Sequence, residues 1–204
     1  IVPTITLIKP QKNKKRVNIY LDGKFGFGID LENFVMLGLK IEQELSEKEV
    51  EEIVKKAEFQ KTLDKLLKFA TLRPRSEKEI KDWLKRKKTH SSLHDELFNR
   101  LKRLDLIDDE KFASWWVDQR QEFKPRGKRV LGYELRMKGV DKGTIEKILA
   151  DTEVDEGKIA RELLEKKKYK WKNLPKFEAR QKMGQFLARK GFGWETIEKI
   201  LKKE

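Results

Sequence analysis

The chain has 204 residues, of which 41% are charged and only 37% hydrophobic, with a formal net charge of +14. So few apolar residues cannot fill one large spherical core, which favours an elongated body with several thin cores, and the positive charge predicts a polyanion or an acidic protein surface as the partner. The absence of cysteine excludes disulfides and cysteine metal sites and favours the cytoplasm. The sequence shows no signal peptide and no run of about 18 apolar residues, so neither export nor a membrane span is predicted.

The first 56 residues predict a small antiparallel β-meander of three strands. Apolar residues alternate with polar ones, and each alternating set is expected to share one face of the sheet. The three sets are Ile5 and Leu7; Val17, Ile19 and Leu21; and Phe25, Phe27 and Ile29. Asp22-Gly23 predicts the tight turn between the second and third strands. A helix from about Ser46 to Lys56, which begins with a Ser46–Glu49 capping box, is expected to cover the sheet.

From residue 57 the apolar period becomes helical, and nine helices are predicted in three groups. Their approximate ranges are 59–71, 77–87 and 91–104; 109–124, 127–138 and 141–150; and 154–170, 175–190 and 194–203. Residues 135–149 and 187–201 repeat each other at an offset of 52, with identical residues from Thr144 to Leu149 and from Thr196 to Leu201. Gly139 and Gly191 fall at helix ends, where a left-handed residue is needed.

These patterns predict a mainly α fold with a small N-terminal three-stranded antiparallel β-meander plus helix. Behind the meander, tandem three-helix repeats form an elongated, curved body, because stacked repeats bury their cores against neighbours. The predicted domains are 1–56 for the meander and its helix, then 57–108, 109–152 and 153–204 for the three repeats. Most of the positive charge, +13 of +14, falls in residues 57–204.

No residue pattern predicts a catalytic or metal site, so we expect a binding protein without enzymatic activity or a cofactor. His90 and His94 have helical spacing but lack further ligands, which favours a cap or surface role. The glycines after Asp22 lie within the meander, so a hairpin is favoured over a phosphate-binding loop. The acidic cluster at Asp105, Asp108 and Asp109 fits a turn, an N-cap and a negative first helical turn.

Basic residues at helix junctions are the candidate binding residues, because arginine and lysine there recur from repeat to repeat. Arg73 and Arg75 flank Pro74 in what is expected to be an exposed turn. The full set of candidates is Arg73, Arg75, Arg120, Lys124, Arg126, Lys128, Arg129, Lys167, Lys168 and Lys170. A merely solvated helix face is the alternative for each lysine run.

Tryptophans are the other residues considered for contact with a partner. Trp83 lies on an apolar stripe with Ile80 and Leu84 and is expected in the core. Trp115 and Trp116 are adjacent, so both are not expected to point inward, and one of them is expected to be partly exposed.

Three segments resemble the RecX family, regulators of the RecA recombinase. They are LRPRSEKEIKDWLKRK, with its Arg-x-Arg-Ser turn; LIDDEKFASWWVDQR, with its Asp-Asp, Phe-Ala and terminal Arg; and RGKRVLGYELRMKGV, with its late Leu-x-x-Lys-Gly. The resemblance covers about residues 57–204, and the meander is similar to an N-terminal extension of some members. Leu106 and Lys88 depart from the family pattern, and Lys88 stands where the other repeats have Gly139 and Gly191.

The resemblance implies a protein that lies in the groove of the RecA–single-stranded DNA filament and touches adjacent protomers. There it would restrain ATP hydrolysis, strand exchange and filament extension, and so act in DNA repair, recombination and the SOS response. A monomer is expected, with non-specific affinity for single- and double-stranded DNA. The alternative is a general nucleic-acid-binding or architectural protein that works without RecA.

Overall fold

The computed structural model describes residues 2–12, 14–152 and 155–202. The chain forms two compact units. The first unit comprises Ile1–Leu72 and Lys88–Leu101, and the second comprises Arg73–Lys87 and Lys102–Glu204. The fold class expected from the sequence is confirmed as a mainly helical chain with an N-terminal three-stranded antiparallel sheet. The division into four domains stays a prediction.

The described residues form three strands and ten α-helices. They are β1 (Ile5–Pro10), β2 (Arg16–Leu21), β3 (Lys24–Asp30), α1 (Leu31–Met36), α2 (Glu47–Thr71), α3 (Glu77–Arg86), α4 (His94–Arg103), α5 (Asp109–Phe123), α6 (Lys128–Met137), α7 (Lys142–Asp151), α8 (Glu156–Glu165), α9 (Lys176–Lys190) and α10 (Trp194–Leu201). Short 3₁₀ turns precede α4 at Ser91–Leu93 and follow α8 at Lys168–Lys170. None of the helices within the described ranges is both long and apolar enough to cross a lipid bilayer.

The sheet has the order β1-β2-β3, and its buried face packs on α2. Two irregularities in the pairing change which residues face that core. One lies between Ile5 and Leu7, and the other lies between Ile19 and Tyr20, whose partners are Phe27 and Phe25. As a result Leu7 is 47% and Phe25 60% exposed, while Ile5 is fully buried. The prediction that Leu7 shares a face with Ile5, and Phe25 with Phe27, is therefore wrong, because a bulge reverses the alternation on one side of it.

Helix α2 is continuous, although the sequence analysis predicted two helices that met near residue 56. Its N-terminus is the predicted capping box, in which Ser46 and Glu49 exchange hydrogen bonds. Neither Gly nor Pro interrupts the next 25 residues, so the change in hydrophobic pattern does not end the helix. The short helix α1 was not predicted; Asp30 caps it by accepting from the Asn33 backbone N–H at 2.9 Å.

Two three-helix bundles make up most of the second unit. Helices α5, α6 and α7 share one core, which includes Phe112, Leu131 and Leu135, and helices α8, α9 and α10 share another, which includes Leu187 and Phe192. Helix α8 ends at Glu165, before the predicted end at 170, and the lysine-rich stretch after it is a turn. The predicted helix limits at 154 and 203 lie outside the described residues.

The predicted left-handed helix ends are confirmed in both bundles. Gly139 has φ +86° after α6, and Gly191 has φ +92° after α9. Lys88 takes the same region with φ +52° after α3, although it carries a side chain. Lys88 therefore forms the same left-handed helix end as the two glycines, although it departs from the family pattern.

Candidate functional site

The second unit contains two equivalent helix junctions, in which one helix begins against the end of another. We call the start of α3 against the end of α6 the first junction, and the start of α6 against the end of α9 the second junction. In the first, the Ser76 hydroxyl donates to the Lys138 carbonyl at 2.7 Å. In the second, the Gly127 backbone N–H donates to the Lys190 carbonyl at 2.9 Å. Ser76 and Gly127 are both N-cap residues, 51 positions apart.

A carboxylate completes each junction by binding the next backbone N–H of the starting helix. Asp109 accepts from the Glu77 N–H at 2.8 Å, and Glu156 accepts from the Lys128 N–H at 2.7 Å. Each acid is the first residue of its own helix, α5 or α8. Burial is the largest cause of the raised pKa of Asp109. The hydrogen bond from the Glu77 backbone lowers this pKa, whereas nearby negative charges raise it further. The carboxylate bond is therefore the same at both junctions, whereas the bond to the end of the other helix comes from a side-chain hydroxyl at the first and from a backbone N–H at the second.

The backbone segments approach so closely at these junctions that glycine is required at the contact. A Cβ placed on Gly139 would lie 2.6 Å from Lys78, and one on Gly191 would lie 2.6 Å from Val130. A Cβ placed on Gly127 would lie only 2.3 Å from the carbonyl oxygen of Gly191. The second junction therefore fixes residue 126 close to the end of α9.

Glu79 gathers the positive charges of the first junction. Arg73 donates to it at 3.0 Å, Lys138 donates at 2.8 Å, and Arg75 lies 3.8 Å away. Burial alone would raise the pKa of Glu79, but the bonds from Arg73 and Lys138 outweigh it and the pKa lies below its usual value. Burial, followed by the nearby Arg73, lowers the pKa of Arg75. The Glu79 carboxylate thus neutralises cations that the fold has partly removed from water.

The two adjacent tryptophans extend this arrangement into the α5–α7 bundle. The Arg73 guanidinium lies 5.0 Å from the Trp115 ring centre, and the Lys138 ammonium lies 4.9 Å from that of Trp116. Trp116 donates to Glu134 at 2.9 Å, and Arg120 donates to the same oxygen at 2.6 Å. Both tryptophans pack on the core and are partly exposed, although the sequence analysis expected partial exposure of one, and contact of either with a partner stays a prediction. We call these residues the Glu79 network: Arg73, Arg75, Glu79, Trp115, Trp116, Arg120, Glu134 and Lys138.

Three predicted contact residues thus have partners inside the fold. The expectation of an exposed turn is wrong for Arg75, which is only 8% exposed, because α3 and the end of α6 enclose the junction. Arg73 and Arg120 are partly buried over tryptophan rings and paired with carboxylates. Whether any of the three touches a partner stays a prediction, but each already has a structural role.

The second junction has the cations of the first without its carboxylate. Counted from the N-cap, Val130 of α6 occupies the position that Glu79 has in α3, while Lys124, Arg126 and Lys190 correspond to Arg73, Arg75 and Lys138. Burial lowers the pKa of Lys190, and the positive charges of Arg126 and Lys167 lower it further. In the described part of the chain no ion pair is formed by Arg126, Lys167 or Lys190. We call these three residues the Lys190 cluster.

The Lys190 cluster joins residues from two predicted groups that are distant in sequence. Arg126 comes from the turn before α6, and Lys167 comes from the turn after α8. The Nε atom of Arg126 is buried and has no hydrogen-bond partner among the described residues. A buried guanidinium Nε–H without a partner, beside two other cations, is costly for the fold alone, and it is typical of a place where an anion binds.

Some of the other candidate residues form bonds within the fold, and the rest are exposed. Lys128 donates from Nζ to the Leu149 carbonyl at 2.6 Å, so it closes the α5–α7 bundle. Lys124, Arg129 and Lys170 are exposed, whereas Lys168 is paired with Glu165 at 3.1 Å. Lys168 also borders a cavity of about 460 Å³ in the α8–α10 bundle, together with Tyr169 and Trp171.

Sequence reasoning missed Lys190 and the meaning of Val130. Lys190 appears in the sequence as one more lysine at a helix C-terminus, where a cation suits the helix dipole. Aligning the N-caps at offset 51 would have shown that an acidic residue is replaced by valine. The burial of Arg126 and Lys190 could not be seen, because it depends on how α6 meets α9.

The remaining candidates have the structural roles that were favoured. His90 caps the turn before α4 through the Ser92 N–H, and Asp108 caps α5 by accepting from Glu110 and Lys111. Trp83 is buried, as predicted. No group of three or more potential metal ligands lies together in the ranges that the structure describes.

Three protein-family models match the chain. Residues 3–46 match the regulatory protein RecX N-terminal domain, residues 108–149 match the second three-helix domain of RecX, and residues 155–201 match the third. Together these matches cover well over half of the chain.

Individual relatives and a solved structure agree with these matches. The chain is 35% identical to the regulatory protein RecX of Bacillus licheniformis over 99% of this chain and 78% of that protein. It is also 35% identical to that of Bacillus subtilis over 96% of this chain and 75% of the relative. A crystal structure of a regulatory protein RecX superposes with a TM-score of 0.74 at 29% identity and covers all of both chains.

Proposed function

The chain belongs to the RecX family of regulatory proteins, and from that premise we propose that it regulates the RecA recombinase by binding to the RecA–single-stranded DNA filament. Bound in the filament groove, it would touch neighbouring protomers and hinder their rearrangement. It would thereby restrain ATP hydrolysis, strand exchange and filament extension. Its place would be the bacterial cytoplasm, in the control of DNA repair, recombination and the SOS response.

The observation that supports this proposal is the Lys190 cluster. Its cations are held near one another by the fold and form no ion pair with a carboxylate of the described residues. Such a group gains free energy when an anionic surface replaces the water around it. Exposed Lys124 and Arg129 lie close in sequence to Arg126 and enlarge the positive surface. Several such modest contacts to adjacent subunits of a polymer would add up through multivalency.

We propose that regulation occurs by occupancy, without a chemical step. The titratable groups with shifted pKa values in the second unit belong mainly to helix junctions and surface ion pairs rather than to a cleft. A bound protein that bridges protomers would slow hydrolysis simply because it opposes the subunit movements that accompany turnover.

The alternative is a nucleic-acid-binding protein that needs no RecA. The turn after α8 favours it, because Tyr169 is 69% exposed and lies in sequence between the exposed lysines Lys168 and Lys170. An exposed aromatic ring among lysines is suited to stacking with unpaired bases.

A titration of the DNA-dependent ATPase of RecA separates the two proposals. Increasing amounts of the protein are added to a fixed amount of RecA on single-stranded DNA, at several salt concentrations. A filament regulator suppresses the ATPase when it is far less abundant than RecA, because one bound molecule affects many protomers. Suppression only when enough protein is present to coat the DNA would favour the alternative and contradict the filament proposal.

A further inference from the structure

The two junctions differ at one position in a way that identifies a ligand. At the first junction the Glu79 carboxylate lies among two arginines and a lysine, at 3.0 Å from Arg73 and 2.8 Å from Lys138. At the second junction Val130 takes this position, and the corresponding cations remain. The chain thus contains both a filled and an unfilled version of the same arrangement.

We propose that a carboxylate side chain of the partner protein binds at the second junction, where it takes the place that Glu79 has at the first. This inference rests on the proposed function, because the partner protein is taken to be RecA in its filament. The binding groups are Arg126 and Lys190, with Lys124 at the position of Arg73 and Lys167 as an additional cation.

Two features favour a protein carboxylate over a nucleic-acid phosphate. The first is that the first junction binds a carboxylate with cations at corresponding sequence positions. The second is that Arg126 and Lys190 are both partly buried where the start of α6 meets the end of α9. A single Asp or Glu side chain can pair with cations gathered at one point, whereas lysines on open helical faces suffice for a phosphate backbone.

The absence of an internal counterion among the described residues also explains the electrostatics of the second junction. Lys190 is destabilised as a cation by burial, and the two charges that act on it most are both positive. An incoming carboxylate relieves this repulsion and satisfies Arg126, so charge pairing and desolvation act together. The cost of holding these cations together in the free protein is recovered when the partner binds.

Val130→Glu supplies the missing carboxylate from within the chain, and Val130→Gln is its matched control without charge. We expect V130E to weaken binding to RecA assembled on single-stranded DNA by tenfold or more, since the site is already filled. V130Q, of nearly the same shape, should bind within about threefold of the wild type, an estimate that reflects a modest packing change. Urea unfolding of V130E should show a midpoint at or above that of V130Q, because the new ion pair stabilises the junction.

A second pair of measurements identifies the source of the anion and tests the inference even if V130E fails to fold. The same variants, together with the double variant R126Q/K190Q, are tested for binding to single-stranded DNA without RecA. A protein carboxylate predicts that R126Q/K190Q loses tenfold on the filament and far less on bare DNA. Equal losses on both would assign the site to phosphate and overturn the inference.

The remaining outcomes are equally distinct. Binding of V130E and of R126Q/K190Q to the filament at the wild-type level would remove the second junction from the interface, while the proposed function would stand. Wild-type protein that does not bind the RecA filament at all would overturn the proposed function and this inference with it.

Discussion

The first and second junctions of the second unit share one backbone design and use their positive charges in opposite ways. At the first, Arg73, Arg75 and Lys138 surround Glu79 and hold α3 to the α5–α7 bundle. At the second, Val130 stands at the position of the carboxylate, and the positive charges of Arg126 and Lys167 act on partly buried Lys190. Arginines in equivalent sequence positions thus have an internal counterion in one repeat and form no ion pair with the described residues in the next.

This comparison also shows why the number of positive charges is a poor guide to the binding surface. Arg73 and Arg120 lie over tryptophan rings and are paired with acids, so a partner would have to break existing contacts to reach them. A cation without a counterion offers its full interaction to a ligand. The useful quantity is therefore the balance of charge at each junction, which the sequence shows only once the repeats are aligned by their caps.

Removal of the Glu79 charge is the change that should break the first junction most strongly. Glu79→Gln removes the carboxylate that pairs with Arg73 and Lys138 and lies 3.8 Å from buried Arg75. We expect it to lower the free energy of unfolding by about 3 kcal/mol, as for a broken buried ion pair. Urea denaturation with an unchanged slope measures this loss. The control is Glu195→Gln at the exposed pair with Lys199, which should leave the midpoint unchanged. Equal midpoints for the two variants would show that the Glu79 network is not structural.

A methyl group at the second junction should separate packing from charge. Gly127→Ala places a Cβ against the backbone of Gly191, and we expect a loss of about 2 kcal/mol in unfolding free energy from overpacking. Gly193→Ala is a matched control, since Gly193 is also an N-cap glycine but has open space around it. Because the general cost of alanine at an N-cap is common to both, their difference reports the clash. If both variants unfold at the same denaturant concentration, α6 and α9 do not meet as closely as these distances require.

The pH dependence of stability should differ between wild type and Glu79→Gln, and this effect should be smaller than the two losses of unfolding free energy above. The pKa of Glu79 is lower in the folded than in the unfolded state, where it is about 4.3. Its stabilisation is thus fully present above about pH 5 and is lost as the pH falls through the lowered folded pKa. The difference in unfolding free energy between the two proteins, measured from about pH 7 to about pH 3, should shrink on acidification. A constant or growing difference would contradict the assigned role of the carboxylate.

The sequence predicted local structure well where one helix or turn decides it. The capping box at Ser46, the left-handed glycines and the cap at Asp108 follow from residues close together in the chain, and all are present. The predictions for Leu7 and Phe25 were wrong because a bulge depends on how two strands pair, which alternation alone does not show. The continuous α2 was missed because a change of apolar face was taken for a helix end.

The sequence predicted that the candidate site is basic, but it identified only some of the residues in it. Arg126 was identified from its position in a basic turn and Lys167 from a lysine run that was predicted to be helical, but their common neighbour Lys190 became apparent only from the packing of α6 against α9. Arg75 and Lys128 were expected to contact a partner, yet burial of one and the Leu149 bond of the other give them structural roles. Composition predicts the sign of a partner's charge, whereas tertiary contacts decide which cations lack an internal counterion.

The most direct test compares two triple variants that lose the same charge. R126Q/K167Q/K190Q neutralises the Lys190 cluster, and K142Q/K199Q/K202Q neutralises three exposed lysines that are already paired with glutamates. At one ionic strength, we expect the first to bind RecA on single-stranded DNA at least tenfold more weakly, about 1.4 kcal/mol, and the second to stay within about twofold of the wild type. The first should also unfold at an unchanged or higher urea concentration, because neutralisation relieves repulsion. Equal losses of binding by the two variants would mean that only net charge matters and would contradict the account.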